Sequence, residues 1–257
     1  MSKIVERTLD LLELFAQEKR PLSLSDIARL LSIPISSCHD VLQAMLARGY
    51  LYELGPRAGY YPTLRLQRLG EEIGENDPVA ARADPLLRPL RDALDESVLL
   101  SKVTGLQANY LLTFEPTHPL RFLVKVGDGK RSLHTTSGGK ALLANLDPAA
   151  LDAFLKSAAL TPLTERSITA KTDLRKDLAL GLQRGWFVNQ GESLDGVTTL
   201  SATFRSYAAL YIVTVAGPSS RMDDKLERAI GLVINVCKLL EMRLDAAVPA
   251  ATRVRAR

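Results

Sequence analysis

The chain has 257 residues, 46% of them apolar and 24% charged, with 33 basic against 29 acidic side chains and a net charge of +4. That balance excludes an intrinsically disordered or collagen-like chain, and the length suits a small domain followed by a medium one. No uncharged apolar run reaches the roughly 18 residues that a membrane span needs.

The opening MSKIVERTLDLLELF carries acids inside its apolar stretch and has no small-residue cleavage site, so it does not read as a secretory signal. Two cysteines, Cys38 and Cys237, are too few for a disulfide scaffold, and a cytoplasmic setting is the simpler expectation. Residues 1–75 carry net −1 and residues 76–250 net +2, while the tail 251–257 adds three arginines. The pI of about 9.1 therefore reflects mainly a basic tail, taken as residues 247–257 and expected to be disordered.

In chain order, Val5, Leu9, Leu12 and Ala16, with Thr8, Leu11 and Phe15, recur at helical spacing over Ile4–Ala16, and Pro21 closes that stretch. Ser25 is an N-cap candidate for a short second helix, Asp26 to Leu31, which Ser32-Ile33-Pro34 breaks. A third helix is expected from Ser36 to Arg48, ended by Gly49. It sets Cys38, Val41, Leu42 and Met45 on one side and Ser36, His39, Asp40 and Gln43 on the other. Two short helices across a tight turn have the layout of a helix-turn-helix. Tyr50–Leu54 and Tyr60–Thr63 around Gly55–Gly59 then predict a β-wing, with Arg57 near its tip. A three-helix packing module with no DNA role is the plain alternative.

Leu64–Ile73 predicts a connecting helix, broken by Gly74–Pro78. The expected division is residues 1–63 as a winged helix-turn-helix, 64–77 as a linker helix and 78–246 as a second domain. In the latter, helices are expected at Val79–Asp95, Gly139–Leu146, Pro148–Ser157, Thr172–Arg184 and Asp223–Leu244. Strands are expected at Val98–Val103, Asn109–Phe114, Arg121–Val126, Trp186–Val188, Thr198–Phe204 and Ala208–Val215. This is an α+β domain with a largely antiparallel sheet.

HTTSGGKALLANL (His134–Leu146), RGWFVNQGESLDGV (Arg184–Val197) and the late Gly217-Pro218 pair, following the winged helix-turn-helix, resemble the IclR family of bacterial transcriptional regulators over nearly the whole chain. The resemblance implies an N-terminal DNA-binding domain, a GAF-like effector-binding domain, and a homodimer or homotetramer. It implies an effector pocket at Ser137, Gly138, Gly139, Asn189, Thr199, Thr214 and Ala216, with Leu120 and Leu123 as apolar walls. Asn189, Thr199 and Ala216 depart from residues frequent in the family. So does Ser32, where the family usually has glycine; a left-handed serine there costs on the order of 1 kcal/mol. Asp40 stands where an arginine is common, so it faces away from phosphate or reads a base.

Ser25, Arg29, Ser36, Ser37, His39, Asp40, Gln43, Arg48 and Arg57 are the DNA-contact candidates. The expected partners are a double-stranded operator and a small organic acid, aromatic acids included. The alternative is a constitutive DNA-binding protein whose C-terminal domain only oligomerises. Neither cofactor nor metal is expected. Ser137–Ala141 lacks the glycine and hydroxyl positions of a phosphate loop, and the three histidines are far apart in sequence. A hydrolase using Ser137 and His134 lacks a nucleophile elbow, so the chain is not read as an enzyme. Both cysteines read as packing residues.

Overall fold

The computed structural model describes residues 3–55, 58–119, 121–122 and 132–246. The chain divides between Asp77 and Pro78 into two compact units.

The first unit holds helices α1 (Lys3–Glu18), α2 (Leu24–Leu30) and α3 (Ile35–Ala47), strands β1 (Leu51–Glu53) and β2 (Tyr60–Pro62), and helix α4 (Arg65–Glu75). Leu11, Phe15, Leu22, Ile27, Cys38, Leu42 and Leu51 form its core. The two expected stripes on α1 have different fates: Leu11 and Phe15 are buried, whereas Val5 and Leu9 are 58% and 55% exposed. The α2 cap is Ser23, which corrects the expectation of Ser25. Ser23 Oγ accepts from the Asp26 amide at 3.1 Å and the Asp26 carboxylate accepts from the Ser23 amide at 3.3 Å. Only a residue three positions before Asp26 can close this reciprocal box.

Ser32 has φ +55°, so the turn does hold it in the left-handed conformation. β1 and β2 pair antiparallel, and Leu22 adds a bridge to Tyr60. Gly59, at φ +89°, is required there because a Cβ would lie 2.6 Å from the Leu22 carbonyl oxygen. The expected break at Gly74 is corrected: α4 runs to Glu75, so only Asn76 and Asp77 interrupt the helical path.

The second unit begins with α5 (Pro78–Leu94), β3 (Ser97–Thr104) and β4 (Gln107–Phe114). It continues with α6 (Ser137–Ala144), α7 (Pro148–Ser157), α8 (Lys171–Arg184), β5 (Phe187–Gln190), β6 (Val197–Ser206), β7 (Ala209–Pro218), α9 (Ser219–Met222) and α10 (Leu226–Asp245). The five strands form one antiparallel sheet in the order β4-β3-β7-β6-β5. Alternation decides its two faces. Leu200, Ala202, Phe204, Val213 and Val215 join α5 and α10 in one core, while Ile212 and Phe187 join α6 and α8 in another.

Several boundaries differ from expectation. α6 starts two residues early, at Ser137, because Thr136 Oγ1 caps the Gly139 amide at 3.1 Å. The last helix starts at Leu226, not Asp223, after the separate turn of α9. Trp186 precedes β5, which instead reaches Gln190. Of the expected strand at Arg121–Val126, Arg121 and Phe122 are not in a strand and the rest lies outside the described residues. The carboxylate of Glu96, wholly buried, fastens the start of β3 to the last helices: Arg221 donates two hydrogen bonds to it at 2.7 and 2.8 Å, and Lys225 one at 2.9 Å. No single helix among the described residues is long and apolar enough to cross a membrane.

Candidate functional site

Two regions gather the candidate residues, one in each unit. In the first, helical periodicity sorts α3 cleanly. Cys38, Val41, Leu42 and Met45 are buried, and Ile35, Ser36, His39, Asp40 and Gln43 are exposed. Ser37 is half-buried. His39 Nδ1 lies 3.9 Å from Asp40 Oδ1, with the Asp40 side chain 85% exposed. Ser25 is exposed, its hydroxyl 3.0 Å from that of Ser23. Arg29 is exposed and pairs with Asp26 at 3.3 Å, and Arg48 caps the end of α3. Arg57 lies outside the described residues. An open groove of about 340 Å³, lined by Ser23, Ser25, Ile35, Glu53 and Tyr60, runs beside the α3 N-terminus.

In the second unit, strand register brings the candidates together. Asn189 pairs with Thr199, Thr199 with Ala216, and Ala216 with Ser97, a row across four strands. Ser201 and Thr214 pair in the next row. The start of α6 sits on this patch. Ser137 Oγ donates to Thr199 Oγ1 at 2.7 Å and lies 2.8 Å from Ser201 Oγ, which lies 2.8 Å from Thr214 Oγ1. A Cβ on Gly138 would be 3.6 Å from Thr214 Oγ1, so this glycine lies directly over the hydroxyls. Gly139 is buried, its missing side chain occupied by the Leu133 backbone. Leu120 and Leu123 lie outside the described residues.

The Asn189 amide is oriented by its neighbours. Its Oδ1 accepts from the Glu192 amide at 2.6 Å, and its Nδ2 donates to Ser193 Oγ at 2.8 Å and Thr199 Oγ1 at 3.4 Å. The Glu192 loop is tied from beyond by Thr164 and Ser167, whose hydroxyls donate to the Gly191 and Glu192 carbonyls at 2.6 Å.

Ser201 of the hydroxyl cluster and three further positions are not singled out by the sequence. Lys140 is buried, its Nζ donating to Glu192 Oε1 at 2.6 Å and to the Val188 carbonyl at 3.3 Å, with Asp177 Oδ2 at 2.9 Å. Burial pushes the Glu192 carboxyl above its ordinary range, and the lysine opposes that rise. Ser97 Oγ donates to the Phe122 carbonyl at 2.5 Å, and Thr136 is the α6 cap. Thr136 carries a local signal, a threonine three residues before Gly139. The others depend on tertiary partners.

His134 is buried, with Nδ1 2.6 Å from Ser132 Oγ, and burial lowers its pKa. Ser137 bonds to Thr199 and Ser201 instead. Burial likewise raises the Cys38 thiol, and pushes Cys237 up to about 12.

A winged helix-turn-helix joined in one chain to a sheet domain with a polar cluster under a helix start is the layout of a two-part transcriptional regulator with a DNA-binding and an effector domain, the class to which the family matches assign it. The bacterial transcriptional regulator IclR C-terminal domain matches residues 73–238, and the IclR helix-turn-helix domain matches residues 4–55. The chain belongs to the IclR family. It is 29% identical over 224 residues to the regulator BhcR of Paracoccus denitrificans, covering 86% of this chain and 80% of that protein. The fold is shared with an IclR transcriptional regulator from Alicyclobacillus acidocaldarius (TM-score 0.80, 20% identity, 94% of this chain and 98% of that one). It is shared too with an IclR homologue from Microbacterium hydrocarbonoxydans complexed with 4-hydroxybenzoate (TM-score 0.78, 21% identity, 95% of this chain and 100% of that one).

Proposed function

We propose that this chain is a cytoplasmic regulator whose C-terminal unit binds a small organic acid and thereby alters operator affinity. Residues 1–63 act as the DNA-binding domain, 64–77 as the linker helix and 78–246 as the sensor. The observation that carries the sensor reading is the cluster of Ser137, Thr199, Ser201, Thr214 and Asn189 beneath the start of α6. Hydroxyls, an amide and helix-start amides can hold a carboxylate without a dedicated cation. Lys140, the buried cation nearby in sequence, is engaged by Glu192 and Asp177. The complex of a family member with 4-hydroxybenzoate supports an acid, with aromatic acids in the class.

The protein acts by binding and not by turnover. As a homodimer or homotetramer it presents paired α3 helices to a pseudo-palindromic operator, because protein symmetry imposes site symmetry. Ser25, Arg29, Ser36, Ser37, His39, Asp40, Gln43, Arg48 and Arg57 supply the contacts. An acid shifts DNA affinity only if it favours one arrangement of the DNA-binding units.

A thermal-shift screen of small acids, 4-hydroxybenzoate among them, tests the sensor. A stabilising acid that also moves the midpoint of a gel-shift titration is the expected result. Stable DNA binding with no acid response would establish the constitutive alternative, and turnover of any acid would restore the enzyme reading.

A further inference from the structure

We infer that Ile35 reads a thymine 5-methyl group in the operator; this rests on the operator-binding reading above. α3 is the sequence ISSCHDVLQAMLA, which contains neither lysine nor arginine. The commonest specific base contact, a basic side chain on guanine O6 and N7, is therefore unavailable to this helix. Its exposed face must discriminate with other chemistry.

Ile35 is the first residue of α3, and the N-terminal residues of a recognition helix are those that approach base edges. Its side chain is 57% exposed. It has no place in the unit's core: Ile33, two residues earlier, packs against that cluster, and Ile35 is absent from both the cluster and its periphery. The core is thus closed without it. Ile35, His39 and Gln43 follow at steps of four, one ridge of the helix, and all three are exposed.

A lone exposed isoleucine is ordinary on a protein surface. Here it leads a ridge of polar side chains and borders the groove shared with Ser25 and Tyr60. The one apolar feature that DNA presents in the major groove is the thymine methyl. Gln43, further along the ridge, matches the adenine N6/N7 edge, so the ridge as a whole favours A·T pairs.

The test uses the full-length protein. An operator is selected from random duplexes, and each thymine is then replaced singly by deoxyuridine, which removes only the methyl. At one thymine per half-site the replacement is expected to weaken binding about fourfold, the worth of one buried methyl-sized group. In Ile35→Ala the penalty at that thymine disappears, while the slope of log K against log[salt] and the thermal midpoint stay as in the wild type. The inference is overturned if deoxyuridine is tolerated everywhere, or if Ile35→Ala keeps the penalty. Selection of no duplex at all would overturn the operator-binding reading itself, a distinct result.

Discussion

Lys140 and Glu192 form a buried ion pair, with Nζ 2.6 Å from Oε1 and the two side chains 1% and 12% exposed. The pair links α6 to the loop that orients Asn189, since the amide of Glu192 donates to Asn189 Oδ1. Removing one member of such a pair leaves an uncompensated buried charge, which costs about 3–5 kcal/mol. Lys140→Met is expected to lose stability of that order in urea unfolding, and adding Glu192→Gln is expected to recover part of it. Glu192 also gives stability a pH dependence. Burial raises its folded pKa above the ordinary 4.5, so the folded state holds the proton more tightly. Its stabilising share is complete below about the unfolded pKa and is lost as pH rises through the folded value. Glu192→Gln is expected to remove that decline, read from unfolding midpoints across mildly acidic pH.

Ser32 occupies a left-handed conformation at φ +55° in the turn between α2 and α3. An L-residue there carries a steric cost that glycine avoids. Ser32→Gly is expected to stabilise the protein by roughly 1 kcal/mol, less the extra freedom glycine brings to the unfolded chain. A higher denaturation midpoint for the first unit checks this; a lower one refutes it.

At the start of α6, neighbouring glycines predict opposite outcomes. A Cβ on Gly139 would meet the Leu133 carbonyl oxygen at 2.3 Å and its Cα at 2.6 Å, both backbone atoms. On Gly138 the nearest heavy atom would be Thr214 Oγ1 at 3.6 Å, an ordinary contact. Gly139→Ala is expected to cost about 2 kcal/mol or more by forcing α6 away. Gly138→Ala is expected to fold normally and to perturb only ligand binding. Calorimetric melts of the two variants, with and without an acid found in the screen, separate the cases.

Changing Ser36 and His39 together to alanine removes two exposed polar groups from α3 and touches none of its buried face. Operator affinity is expected to fall tenfold or so, roughly the worth of one or two lost polar contacts. Thermal stability and acid binding stay unchanged. Unaltered affinity in a gel-shift titration would remove this face from the interface.

Thr199 lies between Asn189 and Ala216 in the strand row and accepts from Ser137. Thr199→Phe fills that position with a ring. It is expected to abolish acid-induced thermal stabilisation and to leave ligand-free operator binding intact. A persisting shift would put the effector elsewhere.

Legibility in the sequence followed the range of the interaction. The sides of α3 could be read because Cys38, Val41, Leu42 and Met45 recur at 3.6-residue spacing, a local consequence of helix geometry. Residue type does not single out the α2 cap, because three serine or acidic residues crowd positions 23–26 and only the hydrogen bonds distinguish Ser23 from Ser25. The early start of α6 and the separate turn of α9 are hidden for the same reason: cap geometry sets a helix end, and residue type alone does not.

The net −1 of residues 1–75 and the absence of lysine and arginine from α3 were already written in the chain. So were the two-part architecture, the helix-turn-helix and the antiparallel character of the sheet, because each rests on periodicity, turn residues and caps close in sequence. The placing of Thr199 between Asn189 and Ala216, the burial of Lys140 against Glu192 and Asp177, and the clasp of Arg221 and Lys225 on Glu96 were decided only by the fold. Those pairs are 10 to 129 residues apart. Strand register, set by alternation and by the turns between strands, and helix packing bring them together over separations that the periodicity of a single element does not span.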